Sequence, residues 1–225
     1  MSTFVLVHGI CHGAWCWDRT RAALETHGHH VVAPDLTLTS LRDDAAIVSR
    51  ALDQLDEPAV LVGHSSGGLV ISRAAAGRDD VRHLVYPAGV MMGSADNFFA
   101  ATGDFPVTPL GRRMSITNGI ITIDPDVAVA CLYNECAPAD AVAAAGRLRP
   151  AALACLTEPA GAEPWRGTPS TYICCEHDRA IHPQMQQAMS QHAARTITLN
   201  ADHSPFMSRP RKFLEIMIGP AVAGT

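Results

Sequence analysis

Three short segments hold the residue types that nucleophilic chemistry needs. The first is Gly63-His64-Ser65-Ser66-Gly67-Gly68, a serine between glycines at the G-x-S-x-G spacing. The apolar run Ala59-Val60-Leu61-Val62 precedes it, and Leu69-Val70-Ile71 with Ala74-Ala75-Ala76 follows, closed by Gly77. A doubly buried strand before and a helix after make this a sharp turn that lifts Ser65 clear of a sheet edge. Side chains at Gly63 or Gly67 would collide with the adjoining strand or helix. A serine hydroxyl becomes a strong nucleophile only when a base takes its proton and a third group fixes the base's tautomer. On such a turn the expected chain order is serine, acid, histidine. Asp178 and His203 satisfy it: each sits just past the end of a strand, with one helix and one strand between them.

Other candidates are weaker on position. Glu176 is still at a strand end, and Asp202 adjoins His203 too closely to face it. His177 and His182 read as surface histidines near the mouth, and His64 as a buried, hydrogen-bonded residue pointing away from Ser65. Negative charge developing on a substrate oxygen needs backbone N–H donors, expected from Ser66 and from Ile10 in the loop His8-Gly9-Ile10-Cys11-His12-Gly13. Cys11 has no evident local base and is discounted as a nucleophile. Gly9, Cys11 and His12 in that loop, with Ser204 beside His203, are expected to border the substrate pocket.

The elements that must position these residues alternate strand and helix. Strands are expected at Phe4–Val7, His30–Pro34, Ala59–Val62, His83–Tyr86, Thr171–Cys175 and Arg195–Leu199. Helices are expected over Ala14–Thr26, over Leu41–Leu55 with Ser40 and Asp43 at its start, from Pro183, and from Arg209 to Ile218 with Ser208 as cap. Six buried strands interleaved with helices make a doubly wound parallel α/β sheet. The alternation stops between about Ala88 and Arg166, where prolines cut the chain into pieces. Short helices fit Ala128–Tyr133 and Ala139–Leu148. A stretch this long reads as an inserted cap, residues 88–166, on a core of residues 1–87 and 167–225.

Composition removes several classes of function. The chain has 225 residues, is 17% charged and carries a net charge of −5 without a Lys/Arg cluster, which argues against nucleic acid or an anionic membrane as partner. No apolar run is long enough for a membrane span, and no leader segment is visible. Seven cysteines without a C-x-x-C pair suit a reduced, cytoplasmic setting better than a disulfide framework. Neither His8/His12 nor His27/His29/His30 has convincing metal-ligand spacing, so no metal and no cofactor is expected.

The segments FVLVHGICHGAWCWD with HHVVAPDL, VLVGHSSGG, and YICCEHDRAIHPQMQQAM with DHSPFMSRPRKFLEIM carry a resemblance. They resemble the small-cap branch of the α/β-hydrolase superfamily, with its plant methylesterases, hydroxynitrile lyases and bacterial esterases such as pyrethroid hydrolases. The cap matches only loosely, through LYNECAPAD. The resemblance implies an α/β-hydrolase fold of about six mostly parallel strands with helices on both faces and a small cap. It implies Ser65, Asp178 and His203 as triad, Ile10 and Ser66 as oxyanion donors, and a homodimer as assembly. The plant lyases of the branch carry Thr in place of Gly9 and Lys in place of Ser204. Their absence favours a serine carboxylesterase acting on a small, largely apolar ester. A carbon–carbon lyase acting on cyanohydrins, or a catalytically idle small-ligand-binding homologue, is the alternative.

Overall fold

The computed structural model describes residues 1–219. Its core strands are β1 (Thr3–Val7), β2 (His30–Val32), β3 (Ala59–Gly63) and β4 (Val81–Pro87), followed after a long excursion by Ser170–Cys175 and Arg195–Leu199. Between the first four lie α1 (Asp18–Thr26), α2 (Leu41–Leu52) and α3 (Gly67–Ala74). The excursion contains α4 (Phe98–Thr102), α5 (Pro109–Arg113), β5 (Ser115–Thr117), β6 (Ile120–Thr122), α6 (Pro125–Cys131), α7 (Pro138–Ala145), β7 (Ala151–Ala152) and α8 (Ala154–Thr157). The chain then returns as β8 (Ser170–Cys175), α9 (Pro183–Ser190), β9 (Arg195–Leu199), α10 (Pro205–Ser208) and α11 (Pro210–Ile218).

All six core strands are parallel, in the order β2-β1-β3-β4-β8-β9. Side chains alternate between the two faces because a strand repeats every two residues. Val5, Val7, Leu61 and Tyr172 pack with α2, α3 and α9 on one face, whereas Phe4, Leu6, Val62 and Ile173 pack with Trp17, Phe206 and Phe213 on the other. Each such fully buried large side chain contributes about 1.5–3 kcal/mol. Successive connections from β1 leave in opposite directions, to β2 on one side and later to β3 on the other. The crevice between the carboxyl ends of β1 and β3 is therefore a switch point, where open α/β sheets bind ligands.

Three local expectations are corrected. β9 is not a buried strand: it ends the sheet, and its five residues are exposed or half-buried. Ser208 does not cap the last helix. Arg209 holds that position, and the Ser208 hydroxyl instead donates to Asp202 at 2.7 Å. The expected helix from Ala14 begins as a 3-10 turn, Ala14–Trp17, before α1. Ser40 does cap α2, accepting from the Asp43 N–H at 3.0 Å.

The excursion also holds an antiparallel sheet, β5-β6-β7, that periodicity did not suggest. Its hairpin turns through Asn118 and Gly119, both at positive φ (51° and 75°). Asn-Gly is the pair that such tight hairpin turns prefer. The two helices expected in this stretch are α6 and α7, each shifted toward the N-terminus so that Pro125 and Pro138 open them.

Candidate active site

Each candidate residue sits just beyond the carboxyl end of a parallel strand: Ile10 after β1, Ser65 after β3, Asp178 after β8 and His203 after β9. Ser65 has φ +53°, left-handed backbone that a non-glycine residue adopts at a cost of about 1–3 kcal/mol. Crowding holds the turn there. A Cβ on Gly63 would lie 2.5 Å from the Gly67 carbonyl oxygen, and one on Gly67 would lie 2.7 Å from that of Val7. The Ser65 carbonyl accepts from the Val90 N–H at 2.8 Å, which ties the turn to the chain leaving β4.

The acid and the base meet directly. His203 Nδ1 donates to Asp178 Oδ2 at 2.8 Å, with side chains 2% and 0% exposed. A carboxylate oxygen can only accept here, so the proton is on Nδ1 and Nε2 is left as the basic nitrogen. Asp178 is fully engaged. Its Oδ1 accepts from the Ala180 and Ile181 N–H groups at 2.7 and 2.9 Å, and its Oδ2 also accepts from Gln186 Nε2 at 2.8 Å. The loops carrying acid and base are stitched by Glu176 N–H to the Leu199 carbonyl and His177 N–H to the Ala201 carbonyl, both 3.0 Å.

His64 is buried and hydrogen-bonded as expected. Its Nε2 donates to the His203 carbonyl at 2.8 Å, and the two rings lie 4.7 Å apart. Behind it, His12 Nδ1 faces the Ile10 carbonyl at 3.1 Å and its Nε2 accepts from the Tyr133 hydroxyl at 2.8 Å. Burial pushes His8 down to about 4 and His12 to about 3, and holds His64 well below the usual imidazole range. These three therefore stay neutral behind the base. Burial likewise pushes the Cys11 thiol up to about 12, which removes its thiolate at neutral pH.

Ser65 and Ser66 open into a cavity of about 270 Å³. Phe98, Phe99, Phe105, Pro106, Met114 and Met185 supply much of its wall, and no carboxylate, lysine or arginine among the described residues lines it. His182 lines it too, while its Nδ1 accepts from the Gln184 N–H at the start of α9. His177 is 43% exposed and paired with Glu135, a surface residue as expected.

None of the four expected pocket residues, Gly9, Cys11, His12 and Ser204, lines this cavity. Gly9 lies beneath the turn, where an added Cβ would come within 2.7 Å of the Ser65 Cβ. Cys11, at φ +63°, is wholly buried with its Sγ toward the Ile121 carbonyl. The His12 ring is drawn to Tyr133, and Ser204 is completely buried under the loop. Position in a loop near the site did not reveal which way these side chains turn.

Sequence reasoning also passed over two supporting residues. Gln186 is wholly buried in α9 and holds Asp178 on one side and the Cys175 N–H on the other. Its only signal was a polar residue adjoining the methionines of a helix face. Asp202, considered only as a rival acid, accepts from the Glu135 N–H at 2.9 Å and the Ser204 N–H at 3.1 Å. It thereby fastens the His203 loop to the excursion.

The profile of the Alpha/beta hydrolase family matches residues 4–216. The chain belongs to the alpha/beta hydrolase family. Among curated proteins it is 27% identical to Salicylic acid-binding protein 2 of Nicotiana tabacum, over 93% of each chain. It is 43% identical to Methylesterase 7 of Arabidopsis thaliana over 86 residues; that match spans about a third of either protein, 32% of this chain and 33% of the relative. Among solved structures, polyneuridine aldehyde esterase superposes with a TM-score of 0.85 at 22% identity, covering 97% of this chain and 98% of the other. A pyrethroid hydrolase from Sphingobium faniae JZ-2 gives 0.85 at 20% identity, covering 99% and 98%. Likeness at this identity shows a shared alpha/beta hydrolase fold. No helix among the described residues is long and apolar enough to cross a membrane.

Proposed function

We infer that the protein is a serine carboxylesterase for small, uncharged, largely apolar esters. The observation that carries this reading is the buried Asp178–His203 pair at 2.8 Å, on the strand edge that also presents Ser65 at φ +53°. In the proposed reaction His203 Nε2 takes the Ser65 proton as Oγ attacks the ester carbonyl. Asp178 holds the imidazole by Nδ1 and stabilises the imidazolium that forms. The tetrahedral oxyanion rests on the Ser66 N–H, one such donor being worth about 3 kcal/mol, while the Ile10 N–H, the other expected donor, is directed at the Ser66 hydroxyl at 2.7 Å. His203 then protonates the departing alkoxide, and water activated by the same nitrogen releases the acid.

The cavity supports the substrate class. Its wall offers aromatic and aliphatic contacts and, among the described residues, no fixed charge to pair with an ionised acyl or alcohol group. The names of the relatives, methylesterases and esterases, agree with ester cleavage. The test is a panel of p-nitrophenyl and alkyl esters assayed with wild type and Ser65→Ala side by side. Turnover that disappears in the variant is expected. Cyanide release from mandelonitrile outpacing ester turnover would replace this reading with a carbon–carbon lyase, and inertness to both would replace it with a binding role.

A further inference from the structure

We propose that the Ser66 hydroxyl is itself a donor to the oxyanion, with the Ile10 N–H acting through it. This rests on the reading of Ser65 as the acylated nucleophile. The Ile10 N–H points at Ser66 Oγ and donates to it at 2.7 Å, across 56 positions of sequence. The amide expected to face the oxyanion is thus aimed at a hydroxyl instead. Ile10, Ser65 and Ser66 all line the same cavity.

The hydroxyl is not used in building the helix behind it. Ser66 occupies the N-cap of α3 with φ −60°, and its side chain makes no capping hydrogen bond. A hydroxyl has one proton to donate and two lone pairs to accept with. Ile10 takes one lone pair, and among the described residues no protein acceptor takes the proton. That proton is therefore available to an oxygen arriving above Ser65.

The chemistry favours the transition state over the ground state. Receiving the Ile10 N–H polarises the Ser66 O–H and makes it a better donor. An ester carbonyl is a weak acceptor, whereas an oxyanion forms a charge-assisted bond about twice as strong as a neutral one. The added interaction is thus realised chiefly as charge develops, where it raises kcat and leaves KM nearly unchanged. Ser66 supplies two hydrogen bonds from one residue, its N–H and its O–H, and no proton leaves it.

The experiment compares wild type, Ser66→Ala and Ser66→Thr on p-nitrophenyl butyrate, with a trifluoromethyl ketone as transition-state mimic. Ser66→Ala should lower kcat about 10- to 100-fold with KM within about twofold, and should weaken the trifluoromethyl ketone by a similar factor. Ser66→Thr, which keeps the hydroxyl, should recover most of both. If the hydroxyl merely occupies the Ile10 amide at rest, Ser66→Ala will leave kcat unchanged or raise it, and the proposal falls. Should the alanine variant fail to fold, Ser66→Cys takes its place: its thiol is a poor donor, so undiminished kcat there also overturns the proposal. A wild-type enzyme with no ester turnover and no phosphonate label on Ser65 would instead overturn the underlying function.

Discussion

Asp178, at the carboxyl edge of the sheet, accepts two hydrogen bonds on each carboxylate oxygen and has a fully buried side chain. The cavity wall contributed by residues 98–114 is built the other way. It is almost wholly apolar, and Phe98, Phe99 and Phe105 are only partly buried while Val107 is 60% exposed. Directional bonds fix one region atom by atom; the other is held by contacts that many apolar side chains could supply. Under the proposed function the edge would set which bond is broken and the wall which ester is admitted. Changes at the edge should cost rate on every substrate, and changes at the wall should redistribute rate among substrates.

The largest effect is expected from Ser65→Ala, about 10⁴-fold or more in kcat on all esters alike. A loss confined to one ester class would break the division just drawn. Asp178→Asn follows, with about a 10⁴-fold fall in kcat, because an amide in that place favours the wrong imidazole tautomer. A nitrogen NMR titration of His203 should show the proton moving from Nδ1; an unchanged tautomer would contradict the assignment.

Gln186→Met acts one step further from the reacting atoms. It strips Asp178 of a donor and leaves the buried Cys175 N–H without its acceptor, so kcat should fall roughly tenfold and stability by about 1–3 kcal/mol. Urea titration beside kinetics checks both. At the wall, Phe105→Ala should lower kcat/KM for p-nitrophenyl butyrate by about tenfold and leave acetate nearly untouched. Equal losses on the two would remove Phe105 from substrate contact.

The neutral histidines behind the edge act on stability and not on rate. His8 and His12 have folded values near 4 and 3, below the ~6.5 of an unfolded chain. Between about pH 6.5 and 4 the unfolded state binds more protons, so stability is complete above that window and declines as pH falls through it. The slope is at most about 1.4 kcal/mol per pH unit for each histidine. Urea midpoints from pH 7.5 to 4.5 should fall accordingly; a flat profile would mean these rings are not buried neutral.

What the sequence made legible follows the same division. The six strands and the Ser65, Asp178 and His203 positions could be read because apolar runs, a glycine-flanked serine and chain order are local signals. The side-chain directions of Cys11, His12 and Ser204 could not, since they depend on Ile121, Tyr133 and the loop above, which are remote in sequence. The β5-β6 hairpin was hidden differently: its strands are three residues long, too short for periodicity, and only Asn118-Gly119 announced it. The Ser66–Ile10 contact was invisible because nothing in a G-x-S-x-G spacing says where the second serine's hydroxyl turns.

The proposed reaction passes through a covalent acyl group on Ser65. Rapid mixing with p-nitrophenyl acetate, acid quenching and peptide mass mapping tests it most directly. A burst of one p-nitrophenolate per chain, with the acetyl group found on Ser65 and lost in Ser65→Ala, is the predicted result. Acetyl on another residue, or an undiminished burst in Ser65→Ala, would contradict it.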